Sequence, residues 1–172
     1  MSRVMRGAAG AGVLSVLVAG AALVPAGVAS AVANLLPNPA FAGGTTSGWK
    51  GSSAKLSVVS PGYPGDTYAG KAARTAGTSY SMYASPQPAT GVAQGSAFQG
   101  SGEVLGVSGR SVCVVLQESS SGGAKVQSRQ SCVTASGGWQ AVGPAALTTK
   151  TAGDSVGFTI RQTGAKAGDS FQ

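Results

Sequence analysis

The chain has 172 residues, of which 12 are lysine or arginine, five are aspartate or glutamate and none is histidine. Without histidine it cannot assemble a Ser-His or Cys-His nucleophile or an imidazole metal site. The cationic residues form no run of three, which argues against a protein that binds nucleic acid through a basic stripe. Abundant glycine, serine, threonine and valine disfavour helix and favour short strands joined by tight turns.

The N-terminus has the layout of a secretory signal peptide. Two arginines precede an apolar run over residues 8–24, and Pro25 and small residues follow. We predict cleavage after Ala31–Ala33, and a second small-residue triplet ends two residues earlier. An uncleaved membrane anchor is the alternative, but glycine and alanine dilute this run. Residues 1–33 are therefore predicted to be removed, which leaves one secreted, extracellular domain over 34–172 with no membrane attachment.

Residues 34–41 contain two prolines and are predicted to form an extended edge segment. Later segments each carry one apolar face, and we predict strands over 54–58, 69–75, 79–85, 96–105, 112–116, 126–133, 139–147 and 154–162. In the last of these, Val156, Phe158 and Ile160 are predicted to face the core and Arg161 the solvent. Eight short strands at this spacing indicate an all-β, antiparallel β-sandwich, and we favour a jelly roll of the galactose-binding-like kind.

The two cysteines lie on opposite arms of a predicted β-hairpin. Its turn is centred on Gly122 and Gly123, and folding the chain there places Cys113 directly opposite Cys132. Strand residues in that relation are close enough for a disulfide. Such a bridge would stabilise the fold by roughly 3 kcal/mol. Two unrelated buried thiols are the alternative, which an oxidising compartment disfavours.

The catalytic potential of the acidic residues is low. Three of them each follow a glycine in a predicted turn, where aspartate commonly bonds local backbone; they are Asp66, Asp154 and Asp169. That leaves Glu103 and Glu118 as the carboxylates associated with strands rather than turns, and no spacing brings them into the opposed pair that a glycosidase needs. We predict that the chain is not an enzyme.

The opening over 34–41, followed by a glycine-rich turn and Trp49, resembles that of secreted carbohydrate-binding modules of the cellulase-associated jelly-roll type (families 4, 9 and 22). The order continues with Tyr80–Tyr83, the two cysteine arms, Trp139–Gln140 and the terminal 168–171, so the resemblance covers all of the mature region. It implies a monomeric, non-catalytic domain that binds a polysaccharide or oligosaccharide.

Two features depart from those modules. Ala42 stands where a glutamate is usual, and the sequence stops at Gln172, before an aspartate-rich last strand. Both acids often hold a structural calcium there, so calcium is left open and no metal ligand is predicted. A missing closing strand would leave a neighbouring strand edge exposed. The alternatives are a structural or protein-binding sandwich, or an accessory fragment of a glycoside hydrolase.

Sugar recognition requires an aromatic platform among planar polar groups. Four residues at outward strand positions meet this requirement if their strands share one sheet. We predict that they bind the ligand: Tyr83, Glu103, Gln117 and Arg161. For each of them, an ordinary surface role is the alternative.

Four other aromatic residues need separate interpretation. Trp139 is predicted to face the core, and Trp49 is left open between the core and the surface. Tyr63 and Tyr68 lie in a loop rich in proline and glycine, from which they could also reach a ligand.

Overall fold

The computed structural model describes residues 33–172 and the backbone of Ser15–Ala19. The rest of the predicted signal peptide lies outside the described residues, so the signal peptide and its cleavage remain predictions. In the part of the chain that is described, no helix is long and apolar enough to cross a membrane.

Nearly all regular structure in the described residues is β-strand. The strands are β1 Ser15–Ala19, β2 Trp49–Ser52, β3 Ala54–Val59, β4 Ala69–Arg74, β5 Ser79–Ala84, β6 Ala89–Val92, β7 Ala97–Leu105, β8 Ser111–Ser119, β9 Lys125–Thr134, β10 Trp139–Thr148, β11 Asp154–Thr163 and β12 Ser170–Phe171. A single 3-10 turn, Ala42–Gly44, follows the opening segment. The all-β prediction is confirmed, and the eight predicted strands correspond to β3, β4, β5 and β7 to β11. Residues 34–41 form no strand: the chain bends at 36–38 and turns at 39–40.

The strands form two layers. The front sheet has the order β2-β5-β11-β8-β9, with β6 also paired to β11. The back layer consists of β1-β7-β10 and β12-β4-β3. Gln172 joins these two groups, because its N–H donates to Leu105 O at 2.9 Å and its carbonyl accepts from Leu105 N at 3.0 Å. Every strand pair within the sheets is antiparallel.

The core lies between the layers and follows the period of two. On β11, Val156, Phe158 and Ile160 are each at most 2% exposed, while the intervening side chains face outward, as predicted. Trp49 is also buried, with its ring stacked on Phe41 at 5.5 Å and edge-on to Phe158 at 6.1 Å. Each such aliphatic or aromatic side chain contributes about 2 kcal/mol by leaving water.

The predicted hairpin is formed by β8 and β9. Their register pairs Ser111 with Thr134 through to Glu118 with Gln127, as the centred turn predicts, and then shifts by one residue. Cys113 and Cys132 are directly opposed, with Cα atoms 4.0 Å apart, and form a disulfide. The predicted bridge is confirmed, and it lies on the outer face of the front sheet.

One edge of β7 is shared by two distant segments. Ser15–Ala19 pairs with Ala97 through Ser101, and Gln172 pairs with Leu105 further along the same edge. Cleavage of the predicted signal peptide would remove β1 and leave backbone groups of 97–101 without that partner.

Candidate functional site

The outer face of the front sheet holds a groove with a cavity volume of about 370 Å³. Its polar lining consists of Ser81, Tyr83, Ser85, Gln87, Gln117, Thr159 and Arg161. We call this surface the polar groove. Its volume falls within the usual range for small-molecule sites, and three neighbouring strands contribute its walls.

Cross-strand register brings these side chains together. Tyr83 on β5 opposes Thr159 on β11, and Gln117 on β8 opposes Gly157 on the other side of β11. Directly opposed residues in an antiparallel pair share a face, so all of them project outward. Gly157 has no side chain, and a Cβ built there would have Gln87 Nε2 as its nearest side-chain neighbour, at 3.8 Å. The floor of the polar groove is therefore open between Gln87 and Gln117.

Two groove side chains are oriented by neutral neighbours. Gln117 Nε2 donates to Ser119 Oγ at 3.0 Å, and Arg161 Nη2 donates to Gln130 Oε1 at 2.7 Å. Within the described residues these are their only side-chain hydrogen bonds. Both keep further donors that a ligand hydroxyl or anion can use.

The structure brings together Tyr83, Gln117 and Arg161 but places Glu103 elsewhere. Glu103 lies on β7 in the back layer, where burial raises the pKa of its carboxyl above the ordinary value. The four predicted ligand residues therefore do not share one sheet. Chain neighbours such as β7 and β8 belong to opposite layers, which alternation within each strand cannot reveal.

Glu103 lines a separate, small cavity of about 20 Å³ together with Tyr63, Asp66, Tyr68 and Trp139. That volume holds about one water molecule, so a pyranose ring does not fit without opening the cavity. Tyr63 packs edge-on against Trp139 at 5.6 Å. These aromatic rings surround the cavity instead of presenting a free platform.

The prediction that Trp139 faces the core is wrong. Trp139 is half-buried and lies opposite Leu105, whereas Val142, Ala145 and Leu147 are the residues of β10 that enter the core. Alternation from Val142 back to Trp139 puts the indole on the outer face. Trp49, in contrast, is a core residue whose Nε1 donates to Asn38 O at 3.1 Å.

A third cavity, of about 330 Å³, adjoins the polar groove and shares Gln87 with it. Apart from Gln87, every residue that lines this cavity is serine, threonine or glycine. The side chains with a hydroxyl group are Thr90, Ser120, Ser121 and Ser155. No function was predicted for these residues, which lie in β6, in β11 and in the turns beside them. In the sequence, only their serine and glycine content distinguishes these residues, and the same composition is typical of ordinary turns.

Asp154 begins β11, as the predicted strand over 154–162 does, but it is only 3% exposed and is not the open turn residue that its place after a glycine suggested. Burial and the adjacent Glu118 carboxylate raise the pKa of Asp154. Burial would also raise the pKa of Glu118, but hydrogen bonds from Gln127 Nε2 and from the backbone N–H groups of Lys150 and Thr151 lower it overall. One proton shared between these carboxyls fits both shifts. The pair links the hairpin to the turn before β11.

Among the described residues, no three carboxylate or cysteine side chains come close enough to hold a metal ion. Glu118 and Asp154 form a carboxyl pair that lies on the inner side of the front sheet.

No protein-family model matches the chain, and neither does any curated protein. Several solved structures, in contrast, are similar to the chain. The CBM22-2 xylan-binding domain of Paenibacillus barcinonensis Xyn10C is similar over 76% of this chain and 90% of its own, at 15% identity and a TM-score of 0.56. The CBM22-1 and GH10 modules of Clostridium thermocellum xylanase 10B, in complex with xylohexaose, match 72% of this chain at 15% identity and a TM-score of 0.55.

A bacteriophage CBA120 tailspike protein 4 enzymatically active domain matches 81% of this chain at 11% identity and a TM-score of 0.59. This chain spans only 24% of the xylanase chain and 20% of the tailspike chain. At such identities the likeness concerns the fold. The chain has the jelly-roll β-sandwich fold of carbohydrate-binding modules, so the predicted resemblance is confirmed at that level.

Proposed function

We propose that residues 34–172 form a secreted, non-catalytic domain that binds a polysaccharide or oligosaccharide in the polar groove. The observation that carries this proposal is the grouping of Tyr83, Gln117 and Arg161 in one open cavity of about 370 Å³. A tyrosine ring packs against the C–H face of a sugar, and amide and guanidinium groups bond its hydroxyls.

The position of Tyr83 supports its role as the platform. Its side chain is half-buried on the outer face, and no aromatic ring of the described residues stacks on it. The adjoining cavity beyond Gln87 extends the polar surface, so that several consecutive sugar units can be accommodated.

A non-catalytic role is supported by the location of the carboxylates. Glycosidases place two carboxyl groups on either side of the scissile bond. No carboxylate lines the polar groove among the described residues, and Glu103 lies in the opposite layer. A ligand in the groove therefore meets amides, hydroxyls and a guanidinium group rather than an acid and a base.

Secretion is supported by the N-terminal sequence and by the Cys113–Cys132 disulfide, which forms in an oxidising compartment. We expect the secreted domain to be monomeric, with size-exclusion chromatography coupled to light scattering as the check.

Affinity electrophoresis of residues 34–172 in gels that contain soluble polysaccharides tests the proposal. The panel is neutral xylan, mixed-linkage glucan and mannan, together with polygalacturonate. We expect at least one polymer to retard the domain and Tyr83→Ala to weaken that binding about tenfold. Tyr63→Ala, which removes the same side chain from the loop between β3 and β4 outside the polar groove, is the matched control and should bind like the wild type.

Unretarded migration in every gel would overturn the proposal and favour a structural or protein-binding sandwich. Equal losses in the Tyr83 and Tyr63 variants would place the sugar outside the polar groove. Turnover of any polymer by the purified domain would contradict the non-catalytic assignment.

A further inference from the structure

Two cationic side chains lie on the strands that flank Tyr83 in the polar groove. In one row across the front sheet, Lys50 on β2 opposes Tyr83, which opposes Thr159. In the next row, Arg161 opposes Ser81. Lys50 is exposed, and it shares the outer face with Tyr83 because the two are directly opposed. The tyrosine platform is thus flanked by positive charge on both neighbouring strands.

No acidic residue lies on this face, although the described residues contain all five acids of the chain. Asp66 and Glu103 line the small cavity beside Trp139, and Glu118 and Asp154 are buried on the inner side of the front sheet. The fifth, Asp169, forms an ion pair with Arg110 outside the polar groove. The positive charge of the groove is therefore not neutralised within the domain.

The two cations also have no ionic partner of their own. Within the described part of the chain, the ion pair that forms joins Arg110 and Asp169. Arg161 uses one N–H group to bond the neutral Gln130 amide, and its Nε is buried with no partner among the described atoms, which leaves the terminal Nη groups as the donors for a ligand. Gln130 orients the guanidinium group and leaves its charge in place. A guanidinium oriented in this way is suited to a carboxylate, which has two acceptor oxygens in a matching plane.

We infer that the polar groove selects acidic polysaccharides, with a uronic acid carboxylate bound by Arg161 while its sugar ring lies on Tyr83. Diagonal neighbours on adjacent strands, such as Tyr83 and Arg161, are about 7 to 8 Å apart, which matches a ring on one residue and its carboxylate on the other. Lys50 attracts the same polymer at the rim. This inference rests on the proposed function and specifies the class of sugar.

The test compares polygalacturonate with its carboxyl-reduced form, a polymer of the same backbone without charge, by affinity electrophoresis and calorimetry. Both are measured at 0.15 M salt, where interactions between exposed charges over more than about 8 Å are screened. We expect the wild type to bind polygalacturonate at least about tenfold more tightly than the reduced polymer.

Three variants examine the charges. Arg161→Gln should weaken binding to polygalacturonate about tenfold, and Arg161→Lys should recover only part of the loss because it keeps the charge without the planar fork. Lys50→Gln should weaken binding about two- to threefold, as expected for a rim charge. Lys55→Gln, which removes the same charge from an exposed position on β3, is the matched control and should bind normally.

The outcomes separate this inference from the proposed function. Equal binding to both polymers, or binding to the neutral panel alone, would overturn the acidic specificity and leave the proposed function standing. Binding to no polymer would overturn both. Two results would show non-specific polyanion binding and overturn the inference. One is an equal loss of binding in the Lys55 and Arg161 variants. The other is equally tight binding of dextran sulfate that Tyr83→Ala does not weaken. If Arg161→Gln fails to fold, as judged by circular dichroism, Lys50→Gln and the polymer pair still decide the question.

Discussion

Removing the disulfide is expected to lower stability without removing sugar binding. The bridge joins residues 19 positions apart, and it restricts the unfolded chain by closing this loop. The chain-entropy relation for a loop of this size gives about 3 kcal/mol at 25 °C. For a domain of this length the loss corresponds to a decrease in melting temperature of about 10 °C. Cys132 is exposed, so its replacement by alanine removes little buried apolar surface.

The assay is urea unfolding of the oxidised wild type, the reduced wild type and the double variant Cys113→Ala/Cys132→Ala. Both altered forms should unfold at lower urea than the oxidised protein, with a somewhat larger m-value because the open chain exposes more surface. Reduced wild type keeps the native side chains and controls for the two substitutions. Coincident unfolding curves for the oxidised and reduced proteins would refute the reasoning, and loss of sugar binding by the folded reduced protein would refute a purely scaffolding role.

Three further predictions concern the scaffold. Gly70→Ala would place a Cβ 2.1 Å from the Phe41 ring and should lower the free energy of unfolding, measured in urea, by about 1 to 3 kcal/mol. Gly122→Ala in the hairpin turn is the control and should change stability little, so equal effects of the two substitutions would contradict this prediction. The folded pKa of Asp154 is raised above the usual 3.8, so its contribution to stability is present below that value and lost as the pH rises through the folded pKa. Asp154→Asn should therefore gain stability relative to wild type as the pH rises above the usual pKa of 3.8, and parallel pH profiles would argue against it. In a chain that begins at residue 34, hydrogen exchange of amides in 97–101 should be faster than in the full chain, and equal protection would show that β1 does not cover this edge.

Local patterns predicted much of the fold. The alternation on β11 assigned Val156, Phe158 and Ile160 to the core, because successive strand side chains point to opposite faces. The Gly122 and Gly123 turn predicted the pairing of Cys113 with Cys132, because a hairpin turn sets the register of its two arms. Both features depend on residues that are close in sequence.

Short or irregular elements were missed for the same reason. β2 and β12 have four and two residues, too few for a visible period, and β6 includes Gly91 with a φ of 62°. These strands form because longer neighbours supply hydrogen-bond partners. Trp139 was assigned to the wrong face because the inward set of β10 becomes clear only from Val142 onward.

The sequence by itself determined the β class, the two faces of the long strands, the hairpin and its disulfide. Only the tertiary structure decided which strands lie in the same layer, and this grouped Tyr83, Gln117 and Arg161 while moving Glu103 to the other side. It also buried Asp154 against Glu118 and left the groove face without an acid. The physical reason is that alternation specifies the face of a residue within its own strand, whereas the neighbours of that strand are chosen by packing between segments far apart in the chain.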